Sequence, residues 1–148
     1  NLFALRMVGR GAAQQRLDAL PGYSAGLEPG ITLIVPAYNE AATIAAAVRS
    51  MLQVDYPDVE IIVVNDGSKD DTLAVLLREF ALQLFPEAYR VSIAVQTVRG
   101  LYRSPTFPQL RVIDKLNGGR SDAVNAGINA AQRGLVCIVD ADSVLQRD

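Results

Sequence analysis

Carboxylates follow two of the short apolar runs in this sequence, and they are the residues best suited to chemistry. Asp140 and Asp142 come after the run that begins at Leu135, and Asp66 comes after the run that begins at Val59. Two carboxylates separated by one residue can coordinate a divalent cation such as Mg²⁺ or Mn²⁺, or a sugar hydroxyl. The sequence therefore predicts an acidic site in which Asp142 and Asp140 bind a metal ion or a sugar.

The Asn-Asp-Gly-Ser sequence at residues 65–68 allows two interpretations. It is favourable turn chemistry, in which Ser68 and Asp71 form a capping-box-like start for a helix. It also suits a ligand, because Asp66 can accept hydrogen bonds from a nucleobase or ribose and Gly67 lets that ligand approach the backbone. The two roles are compatible, and both stay open.

A third polar group follows the first apolar run, where Pro36, Ala37, Tyr38, Asn39 and Glu40 are consecutive. Tyr38 is placed to stack on a base, with packing against the next helix as the alternative. Asn39 is predicted to cap that helix, because an asparagine side chain can accept a hydrogen bond from a free N–H of the first turn. Glu40 lies on the favourable side of the helix dipole.

Two glycines, Gly118 and Gly119, precede a predicted helix and are flanked by Lys115 and Arg120. Backbone amides, a helix N-terminus and two cations together favour a phosphate group. The pattern is neither a Walker loop nor a GxGxxG fingerprint. The alternative is a flexible loop followed by a helix cap at Ser121.

The composition excludes several kinds of chemistry. The 148 residues are 50% hydrophobic and 20% charged, which is typical of one globular domain. With no histidine and one cysteine, Cys137, the chain has no catalytic triad, no histidine-bound metal, no internal disulfide and no cysteine zinc cage. A net charge of −2 argues against nucleic acid as a partner. No apolar stretch reaches the ~18 residues of a membrane span.

Apolar runs and helical stripes alternate after residue 30. Val- and Ile-rich runs predict buried parallel strands at Ile31–Val35, Val59–Val64, Val91–Val95 and Leu135–Val139. Stripes with helical spacing predict helices that include Ile44 to Leu52, Leu73 to Leu84 and Val124 to Ala131. The residues from Arg99 to Leu110 are expected to form a long connection, either a lid or a surface loop. This order predicts an α/β fold with a doubly wound, mostly parallel sheet flanked by helices, in which ligands bind at the carboxyl ends of the strands.

The first thirty residues are predicted to be a helical segment and linker that precede the domain at residues 31–148. Residues 1–20 combine apolar and basic side chains, and Pro-Gly pairs follow. This pattern predicts an amphipathic helix that packs on its own domain or, alternatively, lies on a membrane surface.

Four motifs in this order resemble the family 2 glycosyltransferases, which use nucleotide-diphospho-sugars and have the Rossmann-like GT-A fold. The matching segments are residues 34–40, 63–68, 117–120 and 139–142. The likeness is greatest to the processive, membrane-associated branch that includes cellulose, hyaluronan and poly-N-acetylglucosamine synthases. One departure is Arg120, where family members usually have lysine, which keeps the charge and changes its geometry.

The resemblance implies a role for each matching residue. Tyr38 and its neighbours would line the nucleotide pocket, Asp66 would bind the uracil or ribose, and the loop from Lys115 to Arg120 would contact the diphosphate. The residues implied in nucleotide-sugar binding are Pro36, Ala37, Tyr38, Glu40, Asp66, Lys115, Asn117, Gly118, Gly119, Arg120 and Asp140. Asp142, with Asp140, would hold the divalent cation, Mg²⁺ or Mn²⁺.

The resemblance also implies an activity. It implies transfer of a sugar, expected to be UDP-linked, to a saccharide or lipid acceptor with inversion and with a divalent metal. The chain is expected to be the donor-binding half of such an enzyme, ending after the Asp-x-Asp (DxD) motif formed by Asp140 and Asp142. It is expected to be inactive alone, with the catalytic base downstream. Its parent is expected at the cytoplasmic face of a membrane. Two alternatives are a non-catalytic nucleotide-binding domain and a phosphotransferase of the haloacid-dehalogenase type. Residues 139–144 resemble the nucleophile motif of that second group.

Overall fold

The computed structural model describes residues 28–142. The helix predicted within residues 1–20 lies outside them. The described residues contain six strands: β1 (Ile31–Ala37), β2 (Val59–Asp66), β3 (Gln83–Leu84), β4 (Val98–Arg103), β5 (Leu110–Lys115) and β6 (Leu135–Ile138). They also contain three helices: α1 (Ile44–Met51), α2 (Thr72–Glu79) and α3 (Arg120–Ala130).

The strands form one sheet in the order β3-β4-β5-β2-β1-β6. The pairs β1–β2, β1–β6 and β2–β5 are parallel, and β3–β4 and β4–β5 are antiparallel. Ile34 at the centre of β1 lies opposite Ile62 of β2 and Ile138 of β6. This arrangement confirms the predicted α/β fold with a mostly parallel sheet.

Helices cover both faces of the sheet because alternate side chains of each strand point to opposite faces. Leu33 and Val63 belong to the core that includes residues of α1 and α2, and Ile34 and Ile62 belong to the core that includes residues of α3. Gly127 of α3 allows close packing, because a Cβ there would lie 2.5 Å from Cγ2 of Ile34. The sheet is therefore doubly wound, and the carboxyl ends of β1, β2, β5 and β6 meet at one edge.

The strand predicted at Val91–Val95 is wrong. These residues belong to the connection between β3 and β4, and Val91 is 60% exposed. The Asn129 side chain on α3 accepts hydrogen bonds from the N–H groups of Ser92 (3.1 Å) and Ile93 (2.9 Å) and donates one to the Ile93 carbonyl (2.7 Å). A side-chain amide thus satisfies backbone groups that a neighbouring strand would otherwise satisfy.

Strands β4 and β5 were not predicted, and the expected long loop from Arg99 to Leu110 contains most of β4. β5 lies between β4 and β2 in the sheet, and all its side chains are buried. Three of them are charged, namely Arg111, Asp114 and Lys115, and each is paired with a side chain of opposite charge. A buried strand is predicted from a continuous apolar run, and the paired charges of β5 interrupt such a run.

The predicted helix starts were also wrong in detail. The residue before α1 is Thr43 rather than Asn39, and the residue before α2 is Asp71 rather than Ser68. Leu84, predicted on the apolar face of the second helix, lies beyond that helix in β3 and is 63% exposed. Asn39 and Ser68 instead join two loops at the candidate site described below.

Strand β6 is less buried than predicted. It ends at Ile138 and lies at an edge of the sheet, and Leu135, Val136 and Ile138 are 40–47% exposed. Burial raises the pKa of the Cys137 thiol, so this cysteine is a weak nucleophile at neutral pH.

No helix within residues 28–142 has the length and apolar character needed to cross a bilayer.

Glu87 fastens the connection between β3 and β4 to the sheet. Its carboxylate accepts hydrogen bonds from Arg103 (2.7 Å), Arg111 (3.4 Å) and Gln132 (3.1 Å). Burial alone would raise the pKa of Glu87, but the hydrogen bond from Arg103 and the charges of Arg111 and Arg103 outweigh it and lower the pKa below its ordinary value. The stabilisation by Glu87 is therefore present at neutral pH and is lost as the pH falls through the lowered pKa.

We expect Glu87→Gln to lower the free energy of unfolding by about 1 kcal/mol at pH 7, because the charge that pairs with the two arginines is lost. As the pH falls through the lowered pKa, Glu87 of the wild type becomes protonated and the difference should shrink. Urea unfolding measured from pH 7 to pH 3 tests this expectation, with exposed Asp55→Asn as the control. A difference that stays constant over this range would contradict it.

Candidate functional site

A cleft of about 400 Å³ opens at the carboxyl ends of the parallel strands. It is lined by Pro36, Ala37, Tyr38, Glu40, Asp66, Asn117, Gly119, Arg120, Ala123, Asp140, Ala141 and Asp142. Ten of the twelve predicted site residues are in this lining; Lys115 and Gly118 are not. The sequence did not predict Ala123 and Ala141, whose side chains carry no polar signal. Four separate parts of the chain thus meet at one cleft.

The loops after β1 and β2 are joined by hydrogen bonds. The Asn39 N–H donates to Oγ of Ser68 (3.0 Å), and Oδ1 of Asn39 accepts from the Lys69 N–H (2.8 Å). The Glu40 N–H donates to Oγ1 of Thr72 (2.8 Å). Asn39 has a φ of 55°, in the left-handed region that asparagine tolerates better than most residues. These bonds hold the backbone that follows Tyr38, whose side chain is 44% exposed.

Asp70 adds a further bond between the same loops. Its carboxylate accepts hydrogen bonds from the Ala41 N–H (3.1 Å) and from the hydroxyl of Thr72 (2.5 Å). The slight burial of Asp70 raises its pKa, but the bonds from Thr72 and Ala41 together lower it below the ordinary value. Asp70 therefore stays ionised at neutral pH and keeps the two loops together.

Asp66 organises the glycine loop at residues 116–119. Its carboxylate accepts hydrogen bonds from Nζ of Lys115 (2.5 Å), the Gly118 N–H (3.0 Å) and the Gly119 N–H (2.8 Å). Nδ2 of Asn117 donates to the Asp66 carbonyl oxygen (2.8 Å). A carboxylate has about four acceptor positions, so three protein donors leave Asp66 about one for a ligand.

Lys115 lies beneath this loop with no exposed surface. Its Nζ is within 2.7 Å of three oxygens, those of Asp66, Asp122 and the Leu116 carbonyl. A lysine ammonium has three N–H donors, so all three are engaged by the protein. The predicted contact between Lys115 and a diphosphate would therefore require one of these bonds to be exchanged.

Arg120 and Asp140 form an ion pair of 2.6 Å at the cleft, with side chains that are 61% and 58% exposed. Such exposed pairs contribute little to stability, so both groups are available to a ligand. Arg120 is the first residue of α3, and the residue before this helix is Gly119 rather than the alternative cap Ser121. Gly119 has a φ of 89°, a conformation that favours glycine.

Asp140 and Asp142 could hold a divalent cation. No group of three acidic or cysteine side chains within residues 28–142 could hold a metal by itself. Mg²⁺ and similar ions are commonly bound through one or two carboxylates together with substrate phosphates. Two exposed carboxylates beside a cleft fit that mode of binding.

A second cleft of about 390 Å³ lies at the opposite edge of the sheet. Its lining includes Tyr56, Asp58 and Arg133, and Asp58 is paired with Arg133 at 2.7 Å. None of the residues that the sequence predicted for a site lies there.

The mixed, mostly parallel sheet with acidic residues at its carboxyl edge is the architecture of a GT-A glycosyltransferase. One solved structure with this architecture is a mannosyltransferase from Pyrobaculum calidifontis in complex with GDP-Man and Mn²⁺. It superimposes with a TM-score of 0.59 at 25% sequence identity, over 86% of this chain and 32% of that one. The model of the family "Glycosyl transferase family 2" matches residues 32–148. The chain belongs to this family.

Curated relatives include two bacterial polysaccharide synthases. Poly-beta-1,6-N-acetyl-D-glucosamine synthase of Staphylococcus epidermidis is 28% identical over 120 residues, which are 80% of this chain and 23% of that protein. Chondroitin synthase of Pasteurella multocida is 30% identical over 120 residues, which are 81% of this chain and 10% of that protein. The chain therefore spans less than a quarter of either relative.

Proposed function

We propose that this chain binds the nucleotide-diphospho-sugar donor of a family 2 glycosyltransferase and that the donor is UDP-linked. The observation that carries the proposal is the single cleft at which Tyr38, Asp66, the glycine loop and the Asp140–Asp142 pair meet. The match of the family model to residues 32–148 supports it. The mannosyltransferase from P. calidifontis, whose structure contains GDP-Man and Mn²⁺, supports a nucleotide-sugar donor and a divalent cation, while the choice of uracil as the base comes from the family resemblance.

Each part of the cleft suits one part of such a donor. The exposed ring of Tyr38 can stack on the base, and the remaining acceptor position of Asp66 can bind the base or ribose. Arg120 and the N-terminus of α3 offer positive charge to the diphosphate. Asp140 can accept hydrogen bonds from hydroxyls of the ribose or the donor sugar.

Asp142, with Asp140, would hold a divalent cation, Mg²⁺ or Mn²⁺. When bound, such a cation supplies positive charge to the diphosphate leaving group. We propose an inverting transfer to a saccharide or lipid acceptor, with a saccharide favoured by the polysaccharide synthases among the relatives. The family match includes Asp140 and Asp142, which argues against the phosphotransferase alternative.

Calorimetric titration of the intact protein with UDP, with and without Mn²⁺, tests the proposal. We expect Mn²⁺ to strengthen UDP binding in the wild type and Asp142→Asn to weaken the Mn²⁺-dependent binding at least tenfold, about 1.4 kcal/mol. The matched control is Asp71→Asn, which removes an exposed acid whose side chain caps no helix N–H.

Equal Mn²⁺-dependent binding by wild type and Asp142→Asn would overturn the metal assignment. Absence of UDP binding by the wild type would overturn the proposed donor. UDP binding without sugar transfer by the intact protein would favour the non-catalytic alternative.

A further inference from the structure

The Lys115 ammonium lies between two carboxylates that belong to different parts of the fold. Asp66 ends β2, and Asp122 is in the first turn of α3; each has one oxygen 2.5 Å from Nζ of Lys115. Lys115 itself ends β5 and is fully buried, whereas the residues just above it, 116–120, are exposed. The ion pairs thus lie directly beneath the glycine loop.

The charges explain what Lys115 does for the loop. One cation faces two carboxylates, and without it the carboxylates would repel each other in a poorly solvated place. That repulsion would move the Asp66 carboxylate away from the N–H groups of Gly118 and Gly119, from which it now accepts hydrogen bonds of 3.0 and 2.8 Å. The loop would lose the anchor that fixes its backbone.

Asp122 extends this cluster to the connection between β3 and β4. Its two carboxylate oxygens accept from the Gln96 N–H at 3.1 and 3.2 Å, and one of them also pairs with Lys115. The side chains of Asp66, Asp122 and Lys115 therefore connect β2, α3, β5 and residues near Gln96. This cluster holds the glycine loop through Asp66, which also lines the cleft, whereas Lys115 does not line it.

We propose that Lys115 is a positioning residue for nucleotide binding: it holds Asp66 and the glycine loop in the conformation that receives the nucleotide, without touching the nucleotide. This inference rests on the proposed function. It assigns to Lys115 a role different from the diphosphate contact that the sequence predicts. Its physical basis is that all three Lys115 donors face protein oxygens, while Asp66, Asn117 and Gly119 line the cleft.

Amide hydrogen exchange and UDP titration in the presence of Mn²⁺ test this inference on the intact protein. In Lys115→Met we expect the amides of Gly118 and Gly119 to exchange at least tenfold faster and UDP to bind at least tenfold more weakly. Amides in the centre of β2 should keep their protection, which separates a local effect on the loop from global unfolding. Lys69→Met is the matched control, since it removes an exposed lysine near the same edge of the sheet.

Two more variants keep the test decisive if Lys115→Met does not fold. Asp122→Asn leaves Lys115 paired with Asp66 and should give smaller changes in the same two measurements. Lys115→Arg keeps the charge and should restore much of the UDP affinity and the loop protection lost in Lys115→Met, which a purely space-filling role would not explain.

The outcomes separate this inference from the proposed function. Absence of UDP binding by the wild type would overturn the proposed UDP-linked donor and, with it, the role of Lys115 in binding that nucleotide. UDP binding by the wild type together with unchanged loop exchange and unchanged UDP affinity in Lys115→Met and Asp122→Asn would overturn the inference alone.

Discussion

Arg111→Met should lower the free energy of unfolding by about 3–5 kcal/mol, the cost of leaving a buried charge without its partner. Nη2 of Arg111 lies 2.5 Å from Oε1 of Glu60 and 2.5 Å from the Ala130 carbonyl oxygen. Glu60 is 5% exposed and also accepts hydrogen bonds from Thr32 (2.6 Å) and the Gln132 N–H (2.9 Å). Methionine can fill much of the space of the arginine stem but cannot neutralise Glu60.

Urea unfolding at pH 7 measures this loss, and Arg133→Met is the matched control. Arg133 pairs with Asp58 at 2.7 Å near the surface, so its removal should cost about 1 kcal/mol or less. The double variant Glu60→Gln with Arg111→Met should recover part of the stability, because glutamine carries no charge. An Arg111→Met protein as stable as Arg133→Met would show that Glu60 does not need a cation.

Gly67→Ala should lower the free energy of unfolding by about 2–5 kcal/mol and weaken UDP binding at least tenfold. Gly67 has a φ of 65°, which costs a residue with a Cβ about 1–2 kcal/mol. The added Cβ would also lie 2.6 Å from the backbone nitrogen of Asn117, and relieving such a collision typically costs about 1–3 kcal/mol. Because the obstacle is backbone, the glycine loop itself must move away from Asp66.

Thermal unfolding and UDP titration measure the two effects of Gly67→Ala. Gly119→Ala separates backbone strain from collision, because Gly119 has a φ of 89° but its Cβ would meet no atom within 4 Å. Gly134→Ala should change neither property, since a Cβ there also meets nothing and its φ lies outside the left-handed region. Equal effects of Gly67→Ala and Gly119→Ala would show that the contact with Asn117 is unimportant.

The fold was predictable wherever a strand is apolar. β1 and β2 have nearly continuous Val and Ile runs, and both were predicted within two residues of their observed ends. β5 was missed because its charged side chains are neutralised by partners distant in sequence, Glu60 for Arg111 among them. The strand prediction at Val91–Val95 was wrong for the opposite reason. The run is apolar, but its backbone bonds to the Asn129 side chain instead of to a neighbouring strand.

The candidate site was easier to predict than the helix starts. Parallel strands bring their carboxyl ends to one edge, so residues that follow strands meet regardless of their separation in sequence. A helix start depends on which backbone N–H donates a hydrogen bond to a short polar side chain. The side chain of Ser68 accepts from the loop that contains Asn39, and the side chain of Asn39 accepts from the loop that contains Ser68, so neither caps a helix. The burial of Lys115 was not predictable, because it depends on Asp122 of α3 reaching the end of β5.

The bonds between the loops after β1 and β2 have a consequence for the thermodynamics of donor binding. Asn39, Ser68, Asp70 and Thr72 fix the end of the cleft at Tyr38 before any ligand arrives, so little conformational entropy remains to be lost there. At the other end, an exposed ion pair of 2.6 Å that contributes little to stability joins Arg120 and Asp140, so these two side chains can rearrange when a ligand binds. In the proposed binding mode, the nucleoside should therefore bind with little rearrangement, while the diphosphate end adjusts to the sugar and the metal.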